Sequence, residues 1–283
     1  MTLIETHFPR TSDSELRPIV AGAVRRQPEN TLIPRALVTL LHNSDRRSVE
    51  AALQRNGYLV RSTNDHTAAE VMLRSFIPDV MVVDAREAYP LPNSLMAQVR
   101  RCPEIYIIAV GADNEDQRIT ILRNGADDAL PTAVTPDEIA VRCQVLLRRS
   151  RQFATAATTE GQPKNLYFGP LDIDLGRREI RVNRYAVAAT RLEFDLFAQL
   201  CLRPVEVCSR AELLESVWGP HWVGDAHVVD VHLSNLRRKL TERAPELRFI
   251  HTVRGIGFRL ADDLLQLAVH DLASSRILES QIA

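Results

Sequence analysis

The sequence predicts two domains of different class: a doubly wound α/β domain on a five-stranded parallel sheet, then a smaller α+β domain. Three observations carry this. Between residues 36 and 151, short apolar runs alternate with amphipathic helical stretches in five successive units. The stretch "QFATAATTEGQPK" (152–164) then breaks the pattern with small and polar residues, the chemistry of a linker. Beyond it the signals change to alternating extended runs, three helical stretches and two final extended runs about glycines. At 283 residues the chain is long enough to bury a core in each domain.

Taken in order, residues 1–33 lack sustained periodicity and read as a flexible arm. "ALVTLLH" (36–42) is a strand candidate, "RRSVEAALQRNG" (46–57) a helix stopped by Gly57, and "YLVRST" (58–63) a second strand. "TAAEVMLRSF" (67–76) is helical, "DVMVVD" (79–84) extended and "SLMAQVRRC" (94–102) helical. "IYIIAVG" (105–111) and "DALP" (128–131) are strands on either side of the helix "NEDQRITILRNG" (114–125). A long amphipathic helix, 135–151, closes a domain spanning 34–150, and 151–165 form the linker. In such a sheet functional groups gather at the carboxyl ends of the strands, and Asp84 sits at one of them. A lone carboxylate after an apolar run is ordinarily only a turn or cap residue.

The second domain is expected over 166–262, followed by a tail, 263–283. "FGPLDIDLGRREIRVNRYAVAAT" (168–190) alternates like a small antiparallel sheet. Thr190 with Glu193, and Ser209 with Glu212, have the spacing of capping boxes and mark two helix starts, at 191 and 209–210. A third helix, 227–243, precedes two extended runs folded about Gly255 and Gly257. Three helices and a terminal hairpin are the parts of a winged helix-turn-helix.

Composition narrows the function. Apolar residues make up 45%, charged residues 25%, and the formal net charge is -1, so any nucleic-acid surface must be local. Cys102, Cys143, Cys201 and Cys208 show no CxxC pair and no histidine at ligand spacing, which points to reduced thiols rather than zinc or disulfides. The first thirty residues hold no signal-peptide core and no membrane span, so a cytoplasmic protein without a membrane partner is expected. No Ser/His/Asp, Cys/His or metal constellation suggests an enzyme.

Basic charge is concentrated near the end. From His227 to Leu260 the chain carries seven Lys or Arg against three acids. On the third helix Val229, Leu233, Leu236 and Leu240 form one face, expected to be buried. The opposite face is available to a major groove, and the expected DNA-binding residues are His227, Val228, Val231, His232, Ser234, Asn235, Arg237 and Arg238. Arg254, at the glycine turn of the hairpin, is suited to a minor groove. "RGIGF" is no nucleotide loop, since no helix N-terminus follows it.

"FGPLDIDLGRREIRVN", "TRLEFDLF", "SRAELLESVWG", "VVDVHLSNLRRKL" and "HTVRGIGFRL" together resemble the effector domain of OmpR/PhoB-type response regulators over 167–260. Residues 35–150 resemble the receiver domain, most clearly in "NGADDAL" and "TPDEIAVRCQVLLRR". The resemblance implies a transcription factor that binds direct-repeat promoter DNA as a dimer, usually after phosphorylation of one aspartate. Asp84 occupies that position. "GPHWVGDA" (219–226) corresponds to the loop through which relatives touch RNA polymerase, with Trp222 either an anchor or core.

The rest of the expected phosphorylation pocket is degenerate. Receivers of this family hold Mg²⁺ with an acidic pair after the first strand and the phosphoacceptor. Here the matching run, "LLHNSD" (40–45), supplies only Asp45. The Ser or Thr after the fourth strand is Val110, or Gly111 with a gap; Thr132 and Ala133 replace Lys and Pro, and Ala129 replaces the aromatic switch residue. No cofactor is therefore expected, with Mg²⁺ relevant only if Asp84 is phosphorylated. The charges that pair across subunits in relatives are kept, as Arg118 opposite Glu138 and Asp128 opposite Arg142. The expected function is a dimeric, largely phosphorylation-independent regulator. Two alternatives stand beside it: a conventional regulator phosphorylated on Asp84 by a sensor kinase, or one acting by protein docking of its receiver.

Overall fold

The structure is a computed structural model that describes residues 33–86, 99, 105–156, 165–220 and 226–267. Its first sheet comprises β1 (Arg35–Thr39), β2 (Leu59–Ser62), β3 (Val80–Asp84), β4 (Tyr106–Val110) and β5 (Asp128–Leu130), all parallel, in the order β2-β1-β3-β4-β5. Every residue of the central strands β3 and β4 is buried, because helices cover both faces of a parallel sheet. The edge strand β2 alternates between exposed and half-buried positions instead. Around the sheet lie α1 (Asn43–Arg55), α2 (His66–Phe76), α3 (Glu115–Arg123) and α4 (Pro136–Ala156). The Asp65 side chain accepts from the N–H groups of Thr67 and Ala68 at the start of α2, and Asn114 accepts from Gln117 N–H at the start of α3. The helix expected at 94–102 lies outside the described residues except for Val99, which is helical and buried.

Two boundaries differ from expectation. Helix α4 continues through Ala156, into the stretch read as linker, where Ala154 and Ala156 favour helix despite the lack of apolar periodicity. At the other end, residues 262–267 form a helical turn with Leu264 fully buried, and Leu267 packs over Gly169. The packed structure thus runs past 262.

Beyond the linker, β6 (Asn165–Phe168), β7 (Leu171–Asp174), β8 (Glu179–Val182) and β9 (Tyr185–Val187) form a four-stranded antiparallel sheet. Helices α5 (Arg191–Leu202), α6 (Arg210–Trp218) and α7 (His227–Thr241) follow, with the short strand β10 (Cys208–Ser209) before α6. Both predicted capping boxes are present, Thr190 with Glu193 and Ser209 with Glu212. Each satisfies backbone donors that would otherwise be orphaned at a helix start. The chain ends in the antiparallel hairpin β11 (Ile250–Val253) and β12 (Gly257–Leu260), and β10 completes a three-stranded sheet in the order β10-β12-β11. Among the described residues no helix is long and apolar enough to cross a membrane.

Candidate nucleic-acid interface and acidic pocket

Helix α7 is placed by its apolar stripe. Val229, Leu233, Leu236 and Leu240 are fully buried, as their spacing predicts. The Arg210 guanidinium ties α6 to α7 through two hydrogen bonds to Asp230, at 2.9 and 2.7 Å, and stacks over Phe258 of the hairpin. Lys239 reaches back to Glu193 of α5 at 2.7 Å. These contacts fix the helix-turn-helix pair and the wing as one body. Gly255 turns the hairpin with φ +74°, a left-handed conformation favourable to glycine. Gly257 has another cause: a Cβ there would overlap the Cys208 carbonyl, so only glycine lets β12 close on β10.

Of the expected DNA-binding residues, His227, Ser234, Arg238 and Arg254 are exposed. Arg237 is half-buried and donates to Thr252 Oγ1 at 2.8 Å, and burial lowers its pKa. Val228, Val231, His232 and Asn235 are buried, with His232 only 1% exposed. The receiver meets this face at Asn235 and His232, a tertiary contact with no local signature. Helix α3 packs on α7, and Asn235 Nδ2 donates to the Leu122 carbonyl at 3.2 Å across 113 positions of sequence. Arg191, at the start of α5, lies over the Tyr106 ring of β4, 5.0 Å from its centroid. Half of the face expected to meet a major groove, Val228, Val231, His232 and Asn235, is therefore closed off in this conformation. The loop that corresponds to the polymerase contact, including Trp222, lies outside the described residues.

The pocket at the carboxyl ends of β1, β3 and β4 is built around Asp84, whose residue is 2% exposed. Its Oδ2 accepts from Leu41 N–H at 3.2 Å, and Oδ1 accepts from Arg86 N–H at 3.1 Å and Arg86 Nε at 2.9 Å. Arg86 Nη2 adds a 2.6 Å bond to Oδ2, while Nη1 and Nη2 reach Asp45 Oδ2 at 3.2 and 3.3 Å. Burial would raise the pKa of Asp84, but the Arg86 side-chain and main-chain bonds, with Leu41 N–H, outweigh it and hold the carboxyl below its ordinary range. Asp84 in turn raises the pKa of Arg86.

Arg86 fits because its neighbour is glycine. Gly111 follows β4, next to the end of β3, with φ +117°, and a Cβ on it would lie 2.5 Å from Arg86 Cγ and 2.9 Å from Arg86 N. A serine or threonine there would displace the arginine stem. Thr132 is also engaged: its N–H and hydroxyl donate to Asp113 at 2.7 and 2.9 Å. With a guanidinium between Asp84 and Asp45, the residues do not fit a Mg²⁺ site. Among the described residues no three His, Cys, Asp or Glu side chains are grouped to hold a metal. The sequence pointed to Asp84, to Asp45 and to Gly111 as a possible occupant of the Ser/Thr position, but not to Arg86 or to its need for glycine beside it. An opposite charge two residues after a strand-end aspartate, with glycine after the adjacent strand, was the available signal.

On the remaining receiver face Arg142 bonds within its own chain, to Asp128 at 3.4 Å and to Glu138 at 3.0 Å. Burial raises the Asp128 carboxyl to about 6, with Arg142 opposing the shift. Asp128 and Arg142, expected to meet across a two-fold axis, are thus already partners within one chain. Arg118 lines an open cleft with Asp113, Asn114, Glu115, Pro131 and His227.

Comparison with known proteins follows the same division. The family model described as "Transcriptional regulatory protein, C terminal" matches residues 184–260. Transcriptional regulatory protein PrrA of Mycobacterium tuberculosis is 35% identical over 231 residues, covering 80% of this chain and 96% of the relative. The chain belongs to the OmpR/PhoB family of response regulators. It is accordingly a DNA-binding transcriptional regulator and not an enzyme. A second relative, response regulator MprA of Mycobacterium bovis, is 32% identical over 231 residues, covering 80% of this chain and 98% of the relative. A solved cysteine-to-serine mutant of RitR shares the fold with TM-score 0.68 at 22% identity, over 81% of this chain and 99% of that one.

Proposed function

We propose that this OmpR/PhoB-family chain is a sequence-specific regulator that reads paired promoter half-sites as a dimer and does so without phosphorylation of Asp84. The observation that carries the reading is the Arg86 guanidinium on Asp84 and Asp45, a tethered cation where a phosphoryl-transfer pocket needs a metal. An attacking carboxylate must present a free oxygen to phosphorus in line with the leaving group. Both oxygens of Asp84 are instead occupied by Arg86 and Leu41 donors, at 2.6 to 3.2 Å. The stem of Arg86 fills the space over Gly111, which supports the same conclusion.

In this reading His227, Val228, Val231, His232, Ser234, Asn235, Arg237 and Arg238 face the major groove once α7 is free, and Arg254 reaches the adjacent minor groove. RNA polymerase is the partner on promoter DNA, and a regulatory protein rather than a sensor kinase supplies the input. Arg118, Asp128, Glu138 and Arg142 form the face on which a second copy assembles. The test is a gel shift on genome-selected promoter fragments, with and without acetyl phosphate or beryllofluoride and Mg²⁺. Sequence-selective, salt-sensitive binding that neither phosphate reagent changes is expected. A beryllofluoride-dependent gain in affinity would return Asp84 to phosphoryl chemistry.

A further inference from the structure

We propose that the seam between α3 and α7 is an autoinhibitory clasp in which Asp127 and His232 are packed together without charge, and that loss of the Asp127 proton opens it and frees the DNA-reading helix. The consequence for DNA rests on the function proposed above; the clasp itself concerns two parts of one chain.

The geometry is specific. Asp127 is 2% exposed and His232 1%. Asp127 Oδ2 accepts from Ile107 N–H of β4 at 2.7 Å, while its Oδ1 is buried without a hydrogen-bond partner. Both ring nitrogens of His232 are likewise buried without one. The two groups are neighbours, the Asp127 main chain facing the imidazole, yet they form no ion pair. Around Asp127 stand Glu193 and Arg191 of α5 and Asp128 of β5. Lys239 of α7 is the other charge acting on His232, and the Trp218 ring of α6 lies 6.1 Å from its own. The Tyr106 hydroxyl of β4 is a further unpartnered buried polar group on this seam, its ring lying under Arg191. Asn235 with the Leu122 carbonyl supplies the direct bond across it. Buried polar groups left unpaired are costly, so the seam is poised between states and not tightly bound.

Opening the seam lets water reach both groups, and the proton balance follows. Burial holds Asp127 up at about 8 and His232 down at about 4 in the closed form, against ordinary values of 3.8 and 6.5. Between about pH 4 and 6.5, closing binds a proton at Asp127 and releases one from His232, so the effects cancel. Between about pH 6.5 and 8 only Asp127 acts: closing takes up a proton, and rising pH favours opening. Each unit of pH in that window shifts the closed-to-open ratio by up to about tenfold.

The experiment is small-angle X-ray scattering of the full chain from about pH 4.5 to about pH 9 at constant ionic strength, with amide hydrogen exchange of α3 and α7 corrected for intrinsic rates. The wild type is expected to expand and lose protection on both helices across the window, whereas Asp127→Asn, which cannot ionise, stays compact. Asn235→Asp, with a carboxylate against the Leu122 carbonyl, should be open throughout. Should Asp127→Asn not fold, His232→Phe decides the matter: with the opposing titration removed, protection of α3 and α7 falls with pH already between about pH 4.5 and 6.5, where the wild type is flat, while the fall above about pH 6.5 stays. A wild type of constant radius and protection, an Asp127→Asn protein that opens over the wild-type range, or a His232→Phe protein whose protection is flat below about pH 6.5 would overturn the proposal. No DNA and no phosphate donor enter this assay, so its failure would leave the phosphorylation-independent reading standing.

Discussion

Replacing Arg86 by alanine removes the guanidinium that the structure sets against Asp84, and the size of the effect can be worked from the pocket. Breaking a fully buried ion pair from one side costs about 3–5 kcal/mol, because the remaining charge is stranded. Here the Arg86 side chain is 21% exposed, and the N–H groups of Leu41 and residue 86 still face the carboxylate, which lowers the expectation to about 2–3 kcal/mol. The sign with pH is defined. In the wild type the folded pKa of Asp84 is depressed, so its contribution is present above the unfolded value of 3.8 and fades as pH falls through the folded value. Burial is already the largest single influence on Asp84; without the Arg86 side chain it is no longer outweighed, the folded pKa rises, and the loss of stability grows from acid toward neutral pH. Urea unfolding at about pH 5 and about pH 7.5 of the wild type, Arg86→Ala, Asp84→Asn and the double variant measures this, with the double variant recovering about 1–2 kcal/mol relative to additivity. A loss under about 0.5 kcal/mol for Arg86→Ala, or strict additivity, would mean that Arg86 does not neutralise Asp84 and that the pocket reasoning fails.

Other outcomes follow from the same contacts. Asp84→Asn should leave promoter output nearly unchanged in a reporter assay, because the carboxylate is a structural partner of Arg86; complete loss from a folded variant would contradict this. Asn235→Ala should relax preference at one or two base positions by about 1–3 kcal/mol, while Arg254→Ala should weaken binding most where the flanking minor groove is narrow and A·T-rich, both measurable by titration on variant sites. Arg118→Glu should shift the unphosphorylated protein toward monomer in sedimentation, and adding Glu138→Arg should restore the dimer; a wild type that is monomeric at tens of micromolar leaves DNA as the agent of pairing.

The sequence alone determined what local pattern can determine. Alternation of apolar runs with amphipathic stretches placed β1 to β5 and helices α1 to α4, and the T-x-x-E and S-x-x-E spacings placed the starts of α5 and α6, since capping and periodicity act within a few residues. The stripe Val229, Leu233, Leu236 and Leu240 faces the core as expected for the same reason. Asp84 at the end of β3 was legible too. What the pocket contains was not: Arg86 and Gly111 are neighbours only because β3 pairs with β4, and a side chain's space is set by whichever strand lies alongside. Nor could helical spacing show that Val228, Val231, His232 and Asn235 are covered. Helix α3, which packs on α7 and bonds Asn235 through Leu122, lies more than a hundred residues away in sequence, and local spacing carries no mark of which partner a second helix face takes.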